Sequence, residues 1–354
     1  MVLTITPKKR RSTSKDSTVY LHIGLAKTGT TAIQRFLHEN SEELAKHGVF
    51  YPDNFRSPET GYHDWGHHIL SHKWGGWLDP KVFPISPDEA WEKTAEFIRS
   101  NPGKHVISSE RFQDTLGIPG DAEIMRFIED TVAPAKLVIV VYLRRQDMFA
   151  ESHYKELVKN NFHTSTFAEY MSNLPHFLDY AEYLGKISKL SPSVQIIARI
   201  YDPNLFTCGN LFADFFDALD MELPKIDLAS GKRTTNPSIN SPLVALMETM
   251  RTKPLWREAE FRRKLYHFFD NKPEMIDIGA PMLSDEDRRE ILKRYEDSNA
   301  RVADLYLSEQ HALGLTMPED SGKRKFNKDR LIYSSNDVIR LLEITISTLK
   351  KPPS

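Results

Sequence analysis

Apolar and polar positions along this chain follow two periods. Val19–Gly24 is a short apolar run ending on glycine and reads as a strand. Behind it, Ala32, Ile33, Phe36 and Leu37 recur at helical spacing, predicting a helix that starts at Thr30 and runs through "TTAIQRFLHENSEELAKHG" until Gly48 stops it. "VFYP" follows as a short strand. The pattern then predicts a helix over Pro87–Ser100, with "SPDE" as its amino-terminal cap, and a strand over Val106–Ser108 that breaks at Ser109-Glu110. Leu137 to Leu143 is an almost unbroken, valine-rich apolar run, as a strand covered on both faces requires. A helix carrying "DMFAESHYKELVKN", a strand over Val194–Ile200 and the amphipathic helix "NLFADFFDALDM" complete the alternation. Strands alternating with helices predict an α/β fold with a mostly parallel sheet. From Ser241 onward the pattern is helical throughout, with a last helix near Asn336–Leu349. From Asp53 to Phe83 the periodicity disappears, and a segment of that length inside a compact domain is usually functional or disordered.

Composition narrows the partners. The 40% hydrophobic and 27% charged shares of the 354 residues lie near globular averages, so a buried core is expected. A formal net charge of −2 exerts no general pull toward nucleic acid or an anionic membrane, so any anion site must come from local placement of basic residues. No apolar run approaches the length of a membrane span, and "MVLTITPKKRRSTSKDS" lacks the apolar centre of a signal peptide. Cys208 is the single cysteine, which rules out an intramolecular disulfide and fits a reducing compartment. A cytoplasmic chain is therefore expected. Residues 1–18 read as a flexible basic tail, although Lys8, Lys9, Arg10 and Arg11 could also serve nucleic acid or import.

The candidate chemistry begins in "VYLHIGLAKTGTTAIQRFL". Gly24, four residues, Gly29, Thr30 and Thr31 have the spacing of a phosphate-binding loop between a strand and a helix. Such a turn exposes backbone N–H groups, the helix start adds partial positive charge, and the threonines supply hydroxyls. In a nucleoside triphosphatase the lysine follows the second glycine. Here Thr30 holds that position and the lysine comes two residues before Gly29, at Lys27. The shift implies a shorter ligand, with one phosphate in the loop.

"GLAKTGTTAIQRFL" resembles the 5′-phosphosulfate loop of the sulfotransferases that use 3′-phosphoadenosine 5′-phosphosulfate, and within them especially the heparan-sulfate branch. The resemblance implies a P-loop NTPase-like parallel sheet flanked by helices, with a helical carboxyl-terminal extension. It implies that Lys27, Thr28, Gly29, Thr30 and Thr31 hold the 5′-phosphate, and that Lys27 stabilises the bridging oxygen as sulfate departs. It covers Val19 to about Leu219. The domain layout expected is a sulfotransferase domain over 19–315, with its core at 19–219 and a helical part at 241–315, followed by a tail and helix over 316–354.

A second site for the 3′-phosphate needs an arginine and a hydroxyl beyond a central strand. "YLRRQDMFAESHY" supplies Arg144 and, eight residues on, Ser152, the spacing found in the resembling family. Arginine suits phosphate because its planar fork donates two parallel hydrogen bonds. Arg145 is the neighbouring alternative, and an isolated arginine pair at a strand end could equally be surface. Glu110 follows a strand, and ligands of parallel sheets sit at the carboxyl ends of strands, so Glu110 should face the cleft of Lys27. It is the first candidate for the base that takes a proton from the acceptor hydroxyl; His67 and His68 are its rivals. Ser109 could contact nucleotide or acceptor. Helix capping, or pairing with Arg111, is the alternative role for Glu110.

His63, His67 and His68 have a spacing that could hold zinc on a helix, but no cysteine is near and Asp64 is the one close carboxylate, so no metal is expected. "SGKRTTNPSIN" is a polar, basic loop in which Lys232 and Arg233 could close over the nucleotide, as a late loop does in the resembling enzymes, or which could be a plain surface turn. Tyr62, Trp65, Trp74 and Trp77 could stack on a sugar acceptor or plug a long loop. The reading expected is sulfuryl transfer to a hydroxyl-bearing acceptor, a glycan or glycolipid, with no nucleic acid and no integral membrane segment. An ATP-dependent small-molecule kinase and a non-catalytic nucleotide-binding module are the alternatives.

Overall fold

The computed structural model describes residues 17–57, 65–75, 79–117, 120–159, 166–225, 241, 244, 258, 260–261, 263–265, 281–316, 341 and 343–344. In chain order the elements are β1 (Thr18–His22), α1 (Thr30–Glu39), α2 (Ser41–Lys46), β2 (Val49–Phe50), α3 (His68–Ser71), α4 (Pro87–Ser100), β3 (Lys104–Ser108), α5 (Asp121–Val132), β4 (Lys136–Leu143), α6 (Gln146–Lys159), α7 (Phe167–Ser172), α8 (Tyr180–Leu190), β5 (Gln195–Ile200) and α9 (Leu211–Ala218). Helices Asp285–Arg294, Glu296–Tyr306 and Glu309–Ala312 follow. The described residues fall into two compact units: one from within 17–144, 179–225 and 298–314, the other from within 145–178, 241–297 and 315–344. Residues 145–178 belong to the second of these units.

The first unit is an α/β fold. Its five strands are all parallel, in the order β2-β3-β1-β4-β5. β4 is buried along nearly its whole length, which is why its sequence shows no alternation. Its side chains still divide by face. Val138, Val140 and Tyr142 join Tyr20 of β1 and Val106 of β3 in one core, against Ile33, Phe36 and Leu37 of α1 and Phe215 and Phe216 of α9. Phe36 and Phe212 stack at 4.5 Å between ring centres. The Tyr142 hydroxyl donates to the fully buried Asp214 at 2.6 Å, tying α9 to β4. α5 packs on β4 and also meets α4 and α8, burying Ile124, Met125, Ile128 and Val132.

Several boundaries differ from the periodicity. The first helix is broken at Asn40, whose side-chain amide donates to the Phe36 carbonyl at 2.8 Å; α2 then starts afresh. The cap at "SPDE" is present, with Ser86 accepting from the Glu89 N–H at 3.1 Å. α5, α7 and α8 had no counterpart in the sequence expectation. Trp74 lies edge-on to Trp91 (6.1 Å) and Phe127 (5.6 Å), the plugging role rather than the stacking one. Tyr62, His63, Trp77, Lys232 and Arg233 lie outside the described residues. No helix among the described residues is long and apolar enough to cross a membrane.

In the second unit, α6 carries a buried ion-pair network. Asp147 is gripped by Arg145 (2.6 Å) and by Arg288 (2.7 Å), and Arg288 also reaches Glu151 at 2.8 Å. Burial alone would raise the Asp147 carboxyl, but the two guanidinium groups outweigh it and hold the group below its ordinary value.

Candidate active site

β1 lies at the centre of the sheet, with β3 on one side and β4 on the other. In register, His22 closes β1 opposite Ser108 of β3 and Val140 of β4. The loop 24–29, Glu110 and Arg144 therefore leave the sheet at the same edge, the carboxyl ends of three adjacent parallel strands. Chain connections diverge there to either side, which is where ligands of open α/β sheets bind.

The loop is held from both sides. The Leu25 N–H donates to the Tyr142 carbonyl at 2.9 Å, and the Tyr142 N–H to the Gly24 carbonyl at 2.7 Å. The Ala26 N–H donates to Gln113 Oε1 at 2.8 Å. A side-chain carbon at Gly24 would stand 3.2 Å from Glu110 Cβ, so the loop and Glu110 are packed together. Gly29 caps α1 at φ 79°. A Cβ there would come within 2.7 Å of the Tyr201 ring and 2.8 Å of Leu211, so only glycine satisfies both the backbone and the close approach. Lys27 itself holds φ 64°, an uncommon conformation for a side chain of its size. Its carbonyl accepts from Arg144 at 2.8 Å.

The first turn of α1 has no acidic residue; Ala32 and Ile33 both donate to the Gly29 carbonyl, at 3.0 and 3.1 Å, so the N–H groups that the helix's own bonding leaves over are those of Thr30 and Thr31. Thr28 is buried, and its hydroxyl donates to the Leu25 carbonyl at 2.5 Å. Thr28 can thus offer an anion its backbone N–H but not its hydroxyl. Thr30 is buried and Thr31 half-buried at the helix start. Of the two arginines, Arg144 places its guanidinium 5.5 Å from the Tyr201 ring centre and reaches the loop. Arg145 is tied bidentately to Asp147 at 2.6 and 3.0 Å. Ser152 lies half-buried on α6 of the second unit.

Glu110 opens a short 3-10 turn capped by Ser109, whose Oγ accepts from the Arg111 N–H. Its side chain is 26% exposed, while that of His68 is 8% exposed, with Nε2 3.9 Å from Glu110 Oε1. His68 Nδ1 is joined to Ser109 Oγ at 2.7 Å. Of the two, Glu110 is the group an acceptor can reach. His67 is fully buried: Nδ1 accepts from the Ser108 N–H at 3.1 Å, so Nε2 carries the hydrogen and donates to the Pro52 carbonyl at 2.9 Å. With both nitrogens engaged and no exposure, His67 has no lone pair to offer a substrate; it links Pro52 to β3. Burial pushes it down to about 4. Among the described residues no group of three or more His, Cys, Asp or Glu side chains is placed to hold a metal.

The sequence reading missed Gln34, Ser108 and His22, which lie beneath Glu110. His22 is fully buried, its Nδ1 joined to Ser108 Oγ at 2.8 Å and its Nε2 without a hydrogen-bond partner. A signal for Gln34 was present. It stands one turn after Thr30 and three residues before Leu37, a polar side chain on the stripe that faces the core.

The buried histidines make an acid-stability prediction. Burial pushes His22 down to about 3, and His67 and His105 to about 4, from an ordinary 6.5. All three are neutral in the fold. As pH falls below 6.5 the unfolded chain takes up protons that the folded chain refuses until pH 3–4, so stability is full above that value and falls through the interval. At pH 5 the loss is roughly 2 kcal/mol for each, against a total margin of about 5–15 kcal/mol. Urea unfolding at pH 7.5 and pH 5 should show this drop, and His105→Gln should remove about a third of it. An equal drop in that variant would count against the assignment.

No family model matches this chain. A curated protein of Archaeoglobus fulgidus, described as an uncharacterized protein, is 27% identical over 214 residues, which are 60% of this chain and 56% of that protein. The chain thus spans little more than half the length of that relative. Among solved structures, this chain is similar to the crystal structure of a sulfotransferase from Alicyclobacillus acidocaldarius, with a TM-score of 0.37 and 14% identity over 81% of this chain and 94% of that one.

Proposed function

We propose that this chain is a sulfotransferase that moves the sulfuryl group of 3′-phosphoadenosine 5′-phosphosulfate to an acceptor hydroxyl. The observation that carries the reading is the convergence of the Lys27 loop, Glu110 and Arg144 at the carboxyl ends of β1, β3 and β4. The donor set fits the co-substrate. The loop and helix start present N–H groups to a single phosphate with no carboxylate in the first turn. Lys27 adds the charge, and Arg144 suits the second phosphate.

The co-substrate supplies the sulfuryl group. The acceptor oxygen forms a bond to sulfur as the bond from sulfur to the 5′-phosphate oxygen breaks, and that electron pair stays on the phosphate. Glu110 takes the acceptor's proton. Lys27 and the loop N–H groups stabilise the charge left on the phosphate, so positioning and electrostatics do most of the catalysis, as in phosphoryl transfer.

Thermal unfolding with adenosine 3′,5′-bisphosphate, compared with ATP and Mg²⁺, tests the reading. At 100 times its Kd the bisphosphate should add about 2.7 kcal/mol of stability. A response to ATP with Mg²⁺ and none to the bisphosphate would instead point to a kinase.

A further inference from the structure

Gln34 of α1 is 1% exposed, and its side-chain amide is aimed at the candidate base. Nε2 donates to Glu110 Oε2 at 3.1 Å and to Ser108 Oγ at 3.2 Å. An amide nitrogen carries two hydrogens, so this pair of contacts uses both. Ser108 Oγ is in turn joined to His22 Nδ1 at 2.8 Å, which anchors the arrangement in the core. The other carboxylate oxygen, Oε1, is the one nearer His68. Gly66 supplies the space for this: a Cβ there would stand 2.9 Å from both Gln34 Nε2 and His68 Nε2.

We propose that Gln34 is a positioning residue for the base: it holds Oε2 of Glu110 so that Oε1 is presented to the acceptor, and the bare Cα of Gly66 is what lets its amide reach. The inference rests on the reading of Glu110 as the base of sulfuryl transfer. A glutamate side chain has several rotatable bonds, and a base acts only within hydrogen-bond reach of the proton it removes. A carboxylate held at one oxygen keeps that geometry; a loose one loses it. Gln34 also stands one turn beyond Thr30 on α1. One rigid helix therefore presents its amino terminus to the departing phosphate and orients the group that deprotonates the attacking oxygen. An in-line displacement needs those two oxygens on a common axis, and mounting both supports on one helix fixes their separation.

Gln34→Met keeps the length of the side chain and removes the donor; Gly66→Ala keeps the donor and crowds it. The readouts are release of adenosine 3′,5′-bisphosphate from the phosphosulfate with water as acceptor, thermal shift with the bisphosphate, and a crystal structure of Gln34→Met. Each variant should lower kcat roughly 10–100-fold, with bisphosphate affinity and KM for the phosphosulfate within twofold of the parent. The double variant should fall well short of the product of the single effects, since both disturb the contact from Gln34 to Glu110, although Gly66→Ala also crowds His68 Nε2. The Glu110 carboxylate should be displaced in the crystal. A carboxylate left in place, kcat within twofold of the parent, multiplying effects in the double variant, or a loss of bisphosphate affinity would each overturn the positioning role. If Gln34→Met does not fold, Gly66→Ala reports on the same contact when read beside His68→Gln, which accounts for its crowding of His68. A parent protein that neither binds the bisphosphate nor releases it removes sulfuryl transfer itself, and this inference with it. Turnover in the parent with an indifferent Gln34→Met removes only the role of Gln34.

Discussion

Glu110→Gln should lower turnover of 3′-phosphoadenosine 5′-phosphosulfate by about 10²–10⁴, the range expected when a positioned general base is removed. The substitution keeps the side chain's shape and can still accept from Gln34, so the packing against Gly24 is retained. Binding of adenosine 3′,5′-bisphosphate should therefore be unchanged, and the whole loss should appear in kcat. The companion variant is His68→Gln. His68 stands 3.9 Å from Glu110 Oε1 but is mostly covered, and its substitution should act through Glu110 with a smaller effect. Steady-state rates of both variants decide the matter. If His68→Gln abolishes turnover while Glu110→Gln keeps it within threefold, the proton goes to the imidazole and the assignment of Glu110 is wrong.

Lys27→Ala should cut kcat by about 10²–10³, the usual cost of removing one group that stabilises developing charge. The loop should survive the change. Its backbone is held through Leu25, Ala26 and Gly24, and Arg144 meets Lys27 at the carbonyl rather than the side chain. The left-handed backbone at Lys27 is costly for any residue with a Cβ, and such outliers concentrate at functional sites. Alanine inherits that cost, so the folded stability should shift little while the rate collapses. Single-turnover measurement of sulfuryl transfer, with thermal unfolding as a control, separates the two. A rate within threefold of the parent at unchanged stability would remove Lys27 from the transition state. Lys27→Arg should recover only part of the rate, because a planar fork does not replace a compact ammonium.

Much of the fold was legible because its signals are local. The run Leu137–Leu143 announces a strand covered on both faces, and Gly24 and Gly29 announce a tight turn between a strand and a helix, without reference to the rest of the chain. α5 was harder to see. Its cap, Gly120, is in a left-handed conformation with no side-chain hydrogen bond to mark the start, so its stripe of Ile124, Met125, Ile128 and Val132 lacked a boundary. The break at Asn40 was hidden for the opposite reason: apolar spacing continues across it, while its backbone N–H and its side-chain amide both close on the Phe36 carbonyl.

The order of residue types after each strand was written in the chain: lysine and glycine after the first, a carboxylate after the third, an arginine after the fourth. Their meeting at one edge needed the strand order β3-β1-β4, which no local pattern encodes. The same holds for the surroundings of Glu110. Gln34 lies 76 positions away in sequence, and His67 is withdrawn from chemistry by two backbone groups on separate segments. Residue type and spacing express short-range preference, whereas the partners of a buried polar atom are chosen by which segments the sheet brings side by side.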